Sequence, residues 1–376
     1  MKMKKILALV MALAMIFALS ACGDKGNEGG GGDASGTKVA VFYYTYSDAY
    51  ISSVRAALDT ALDNAGIEHE NYDGNNSQAT QNESIDTALT NGYKLLIVNM
   101  VSTGSSDTAK AIIEKANQYD AKVIFFNRAI EEDGNEGTVL NANDNICFVG
   151  TDAPEAGHMQ GKMVGEYVRD HYDELDLNGD GVISYALMKG EEANAEAIYR
   201  TQYGVEDANE VLTAAGKPAL VYFDASNASG YQVDPTGAWS SNAGMEYMQT
   251  NLSQYNESNN NMIELVICNN DGMAEGVISA LQAAGYNNKG GDKIIPVFGV
   301  DATDPAKALI ADGVMTGTVK QDAEGMANAI CEMVKSVSSG TAMKDAVASV
   351  AGASDNLDVA EGIANKLFVA YAPYTG

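Results

Sequence analysis

Asp176, Asn178 and Asp180 set three oxygen-bearing side chains at alternate positions, and Gly181 follows where a sharp turn is needed. Val182 then offers a main-chain carbonyl at the seventh position and Ser184 a hydroxyl at the ninth. Calcium, a hard cation, demands this density of oxygen ligands in this order. At the twelfth position, where an EF-hand supplies a bidentate glutamate, the chain has Leu187. The stretch is therefore either an acidic turn or a calcium loop completed by a carboxylate from elsewhere. No paired-helix unit flanks it, which favours a structural ion over a sensor.

A second group of polar residues stands directly after short apolar runs. Val39–Tyr46 leads into Ser47-Asp48-Ala49-Tyr50, and Val123–Phe126 into Asn127-Arg128. Leu265–Cys268 ends at Asn269-Asn270-Asp271, Pro296–Val300 at Asp301, and Gly317–Val319 at Lys320-Gln321-Asp322. Each alone also suits a helix N-cap, a position that Asp and Asn favour. Five together, from distant segments, point to a shared site. Amides, carboxylates and a guanidinium supply both donors and acceptors, as a neutral polyol requires. Such a site rejects ligands that leave its buried groups unpaired. Trp239, the one tryptophan, and Tyr50 offer flat faces for the apolar C–H side of a sugar ring, although core packing is the ordinary role of a lone Trp.

The elements that must carry these residues follow from the hydrophobic pattern. Apolar runs at Val39–Tyr44, Leu95–Met100, Val123–Asn127, Phe148–Asp152, Val182–Leu187, Leu220–Phe223, Leu265–Asn270, Ile294–Asp301, Thr316–Val319 and Leu367–Ala370 read as strands. Amphipathic stretches such as Ala49–Ala65, Ser105–Gln118, Glu155–Tyr172, Ala195–Ala214 and Met273–Ala284 separate them. Continuous apolar strands alternating with helices mean parallel sheets covered on both faces. The fold class is α/β, with two doubly wound, Rossmann-like domains. In such sheets ligands sit beyond the carboxyl ends of the strands, where the polar residues stand.

The N-terminus sets the compartment. Three lysines precede the apolar run Ile6–Ala18, which is shorter than the roughly 20 residues of a membrane-spanning helix but fits a signal peptide. Leu19-Ser20-Ala21-Cys22 resembles a bacterial lipobox, which implies cleavage before Cys22 and its acylation. Residues 1–22 are thus a lipoprotein signal peptide and 23–37 a glycine-rich flexible tether. The net charge of −28 argues against nucleic acid and against adsorption to anionic lipid. Membrane attachment rests on the Cys22 lipid alone. Cys147, Cys268 and Cys331 remain, an odd number that is no complete disulfide framework, and His69, His158 and His171 have no zinc-like spacing.

From Lys38 to Tyr374 these features resemble the periplasmic galactose/glucose-binding protein family. The carrying segments are Tyr46-Ser47-Asp48-Ala49-Tyr50, Phe125-Phe126-Asn127, Val149-Gly150-Thr151-Asp152, the Asp176 loop, Lys189-Gly190-Glu191, Ala238-Trp239, Ile267–Asp271 and Pro296–Ala302. The resemblance implies two lobes joined by a three-segment hinge. One lobe is expected at 38–150 plus 302–335 and the other at 151–301 plus 336–376, with hinges near Gly150–Asp152, Asp301–Thr303 and a later return. It implies that Asp48, Asn127, Arg200, Asn270 and Asp301 surround the hydroxyls of a monosaccharide. Tyr50 and Trp239 then cover its faces, and Asn194, Glu196 and Gln321 complete the site. It also implies a structural Ca2+ held by Asp176, Asn178, Asp180, the Val182 carbonyl and Ser184, with Glu264 as the missing carboxylate.

Three departures bear on which sugar fits: the family typically has histidine and aspartate where Asn194 and Glu196 stand, and asparagine at Gln321. A fourth, serine for the usual glutamine at Ser184, falls in the calcium loop. The partners implied are the membrane permease of an ABC importer and, as a second candidate, a chemoreceptor, for a protein acting as a monomer. Ribose or another small sugar is the alternative ligand. A glycoside hydrolase using Asp48 and Asp301 is the alternative chemistry, but no nucleophile elbow, phosphate loop or zinc motif supports an enzyme.

Overall fold

The computed structural model describes residues 38–376; the signal peptide, Cys22 and the tether lie outside the described residues. The first lobe opens with β1 (Lys38–Tyr43), α1 (Ala49–Asn64), β2 (Glu68–Asp73), α2 (Gln78–Thr90), β3 (Leu95–Val98), α3 (Ser106–Gln118), β4 (Lys122–Phe126) and β5 (Ile146–Gly150). The second lobe begins with α4 (Ala153–Leu175), β6 (Ser184–Lys189), α5 (Ala195–Ala214), β7 (Val221–Tyr222), β8 (Gln232–Val233) and α6 (Ser241–Leu252). It continues through β9 (Leu265–Cys268), α7 (Asp271–Ala283), β10 (Val297–Asp301), α8 (Asp304–Ala311) and β11 (Gly317–Lys320). The chain then returns as α9 (Ala323–Ser338), α10 (Met343–Ala351), β12 (Leu357–Val359) and β13 (Lys366–Val369), and closes with β14 (Ala372–Tyr374).

The strands form two seven-stranded sheets, ordered β12-β13-β5-β4-β3-β1-β2 and β14-β11-β10-β9-β6-β7, with β8 beside β6. All pairs are parallel except β12–β13 and β11–β14. Parallel pairing forces crossovers, and the crossover helices bury both faces of each sheet. In the first lobe α1, α9 and α10 cover one face and α2 and α3 the other. In the second, α6, α7 and α8 oppose α4 and α5. The two doubly wound α/β lobes read from the sequence are present. Among the described residues no helix is long and apolar enough to cross a membrane, and Cys147, Cys268 and Cys331 are free and buried.

The later lobe boundaries differ from those expected. Residues 302–320 belong to the second lobe, because β11 pairs in parallel with β10 (Phe298 with Gly317 through Asp301 with Lys320) and α8 is their crossover. Residues 336–370 belong to the first, since Met343, Val347, Leu367 and Val369 complete its core. The chain therefore crosses near Thr151, Gln321 and Tyr371, and Asp301–Thr303 is no hinge.

One packing feature fixes a part of the cleft. Gly157, Gly161 and Gly165 recur every four residues on the face of α4 that meets α5. A methyl on each would stand 2.4, 2.1 and 2.8 Å from atoms of α5, well inside van der Waals contact. Glycine there lets two helix backbones meet, and that contact sets where α5, which carries Glu196 and Arg200, stands in the second lobe.

Candidate functional site

Parallel strands deliver their carboxyl ends, and the helices that follow, to the same edge of each sheet. Those two edges face one another across the cleft. Asp48, Tyr50, Asn127, Asn194, Glu196, Arg200, Trp239, Asn270, Asp301 and Gln321 all line one cavity there, together with Tyr44, Ile51 and Arg128. It holds about 380 Å³ of atom-free space, open solvent included.

Capping and cavity lining turn out to be compatible tasks. Asp48 caps α1 by accepting from the Ile51 amide at 2.7 Å, and its other oxygen accepts from the Tyr44 hydroxyl at 2.7 Å. Asn194 caps α5 and Asn270 caps α7, each through its side-chain oxygen. A cap uses one acceptor, and all three residues line the cavity as well.

Backbone conformation aims three others. Asn127, Trp239 and Asp301 have positive φ of 60°, 55° and 130°, a region that non-glycine residues enter at a cost and that clusters at functional sites. Asp271 braces the turn after β10: one oxygen accepts from the Thr318 hydroxyl at 2.6 Å and the other from the Thr303 amide at 2.8 Å. Burial pushes the Asp271 carboxyl up to about 7.

The hydrogen-bond balance of the cavity is incomplete. Arg200 Nε, Asp301 Oδ2 and Gln321 Nε2 are buried and meet no partner among the described residues. All three residues line this cavity. Two donors and one acceptor left open in one place are a request for a ligand that both accepts and donates. A sugar hydroxyl does both. Burial, reinforced by the Asp271 carboxylate, raises the Asp301 carboxyl well above the usual range, while Arg200 pulls it down. Burial also works against the charge of Arg200, but Tyr371, Glu196 and Asp301 outweigh it and hold the guanidinium protonated.

The lobes are closed over the cavity. Arg128, on the first lobe, pairs with Glu191 on the second at 2.8 Å and stacks over the Tyr44 ring at 4.2 Å. Asn76 Nδ2 donates to the Thr236 carbonyl at 3.0 Å, and the Tyr199 hydroxyl donates to Asp133. Glu191 also accepts weakly from Trp239 Nε1 at 3.5 Å. Tyr44, Glu191, Thr151, Tyr371 and Asp271 were not read as site residues from the sequence. Arg128 stood beside Asn127 at a strand exit, which was its only signal.

Trp239 is 8% exposed and rests on Gly190: a Cβ there would lie 2.1 Å from indole Cδ2 and Cε3. Gly190→Ala must therefore displace the indole rather than strain the backbone. We expect a loss of sugar affinity of about tenfold or more, from overpacking of about 1–3 kcal/mol. Trp239 is the only tryptophan, so its fluorescence is a direct probe. Wild-type fluorescence should change on sugar addition and the variant's should not; an intact response in the variant would remove Trp239 from the site.

The Asp176 loop is a separate centre in the second lobe. Glu264, fully buried just before β9, reaches into it from 80 residues away in sequence. Its oxygens accept from the amides of Leu177 at 2.8 Å, Asn178 at 3.3 Å and Ser184 at 2.9 Å. Asp176 accepts from the Gly179, Asp180 and Gly181 amides, and Asp180 from Val182. Among the described residues no three acidic, histidine or cysteine side chains converge as a metal cluster, since Asp176 and Asp180 turn onto the loop's own amides. Their donor set nonetheless fits calcium. Glu264 is buried with no cationic side chain paired to it among the described residues, and a buried carboxylate needs compensation. With Asn178, Ser184 and the Val182 carbonyl, the three carboxylates would supply the all-oxygen donors that calcium prefers.

Over residues 39–342 the chain matches the model of a family described as "periplasmic binding protein domain". It is 32% identical over 308 residues to the D-galactose/methyl-galactoside binding periplasmic protein of Haemophilus influenzae, covering 82% of this chain and 83% of that one. It is 24% identical to the ribose import binding protein of Escherichia coli, covering 85% and 88%. A solved ABC transporter solute binding protein from Bacillus halodurans, with bound myo-inositol, superposes with a TM-score of 0.64 at 22% identity, covering 92% and 96%.

Proposed function

The chain belongs to the periplasmic binding protein family, and on that premise we propose that it captures a monosaccharide, galactose or glucose first, between its two lobes and presents it to the permease of an ABC importer. Proteins of this family act outside the cytoplasm in transport, and the chain is a binding protein rather than an enzyme. The observation that carries the sugar reading is the trio of unpartnered polar atoms on Arg200, Asp301 and Gln321 in one buried cavity. A pyranose would accept from the first and last and donate to Asp301, with its apolar face against Trp239. The 32% identity with a galactose-binding relative favours a hexose over ribose.

Closure follows from the same contacts. Sugar groups are paired from both lobes only when the lobes meet, so ligand favours the closed state by its differential affinity. The proposal extends to a calcium ion in the Asp176–Glu264 loop and to a lipid on Cys22 that tethers a monomer to the membrane. Calorimetric titration with galactose, glucose, xylose, ribose and myo-inositol tests the sugar reading. We expect the strongest heat from a hexose; the absence of binding to all five would overturn it.

A further inference from the structure

Each of the three segments joining the lobes sends one polar side chain to the same place. Thr151, Gln321 and Tyr371 all turn toward Glu196 and Arg200 at the start of α5. Thr151 Oγ1 donates to Glu196 Oε1 at 2.7 Å. Arg200 Nη2 has three acceptors: Glu196 Oε2 at 2.9 Å, the Tyr371 hydroxyl at 3.0 Å and Gln321 Oε1 at 3.2 Å. The Tyr371 hydroxyl in turn lies 2.8 Å from Glu196 Oε2 and 3.0 Å from Thr151 Oγ1. All five residues are buried.

The proton count makes this cluster unusual. A guanidinium Nη carries two protons and here faces three acceptors; a phenol carries one and here faces two. The hydrogen bonds cannot all be made at full strength at once, so the cluster has competing arrangements. Glu196, Arg200 and Gln321 also form part of the cavity wall, whereas Tyr371 and Thr151 do not.

We propose that Tyr371 is a positioning residue that ties occupation of the cavity to the angle between the lobes. A ligand that satisfies Arg200 Nε and Gln321 Nε2 selects one arrangement of the Arg200 fan. Tyr371 passes that choice to Thr151, on the first crossing, through its own hydroxyl. Opening the hinge moves the three crossings relative to α5 and breaks the same bonds. This inference rests on the cavity being the ligand site.

Tyr371→Phe removes the hydroxyl and keeps the ring in its contacts with Ala156, Val300 and Val319. Thr151→Val is the second variant and removes the other hydroxyl. Two measurements are made. The first is sugar affinity by calorimetry for both variants and their double mutant. The second is the lobe–lobe distance in the ligand-free protein, by pulsed electron paramagnetic resonance between labels at the exposed sites Asp107→Cys and Glu246→Cys.

We expect each single variant to weaken binding about tenfold and the double mutant to be scarcely weaker than either, as members of one network behave. We also expect a broader distance distribution in Tyr371→Phe. Additive losses in the double mutant, or an unchanged distance distribution, would overturn the proposal. Should the wild type bind none of the sugars offered, the ligand reading falls, and the distance measurement still decides whether Tyr371 governs the hinge.

Discussion

Asp301→Asn is expected to weaken sugar binding by about 10- to 150-fold while raising the melting temperature of the ligand-free protein. Asp301 Oδ2 is buried without a partner among the described residues, so a ligand hydroxyl is the donor it lacks. A hydrogen bond to a charged group contributes about 1.5–3 kcal/mol, which gives that range of affinity. The stability change has the opposite sign. Burial and the Asp271 carboxylate raise the Asp301 carboxyl, so the folded state resists the charge that the unfolded chain carries freely. A raised carboxyl contributes stability below its unfolded value, near 4, and loses it as pH climbs through the folded value. The melting-temperature advantage of the variant should therefore be small at pH 4 and widen toward pH 8. Calorimetry and thermal melts check the two arms. A variant that binds as tightly as wild type would show that Asp301 does not touch the ligand. Loss of both binding and stability would instead mean that Asp301 serves the fold.

The opposed signs express a general property of this cleft. Its floor is built from groups the closed protein cannot satisfy alone, and the ligand supplies what is missing. That is why the polar residues are concentrated at strand exits rather than inside the sheets, where a parallel ladder has no room for an unpaired side chain.

Much of this was legible in the sequence because the fold imposes it locally. A strand buried on both faces reads as an apolar run, as in Leu95–Val98 and Leu265–Cys268, and the residue after it must cap the next helix. Asp48, Asn194 and Asn270 satisfy that demand and line the cavity too, so the two readings of such residues are not rivals. β2 escaped notice because Glu68–Asp73 is an edge strand paired only with β1, and an edge needs no apolar run. The later lobe boundaries were misplaced for a different reason. A strand–helix–strand pattern looks the same in either lobe, and only the register of Gly317–Lys320 against β10 assigns it. Tyr371 belongs to no motif, and Thr151 stands in the sequence only within a family-like segment at an expected hinge. Their meaning comes from three chain crossings converging on Arg200, which is a property of the tertiary structure alone.

Calcium is expected to govern the stability of the second lobe. Chelation should lower its melting temperature by about 5–10 °C if free calcium beforehand stands about a hundredfold above the dissociation constant, since binding to the folded state alone then contributes about 2.7 kcal/mol. Residues from two distant segments are involved: Glu264 must be drawn to the loop before its carboxylate can help hold an ion, and in the unfolded chain it is 80 residues from Ser184. Glu264 itself is a poor position to substitute, because its oxygens accept from three loop amides and an amide side chain would set a donor against them. Asp180→Asn is the cleaner variant. Asp180 is exposed at the loop surface, so the ligand-free fold should survive while a charged oxygen of the shell is lost. Thermal melts of both proteins with calcium and with chelator give four values. Wild type should lose stability on chelation, and the variant should already sit near the chelated value. Equal melting temperatures for wild type under both conditions would mean that the Asp176 loop is an acidic turn held by its own amides.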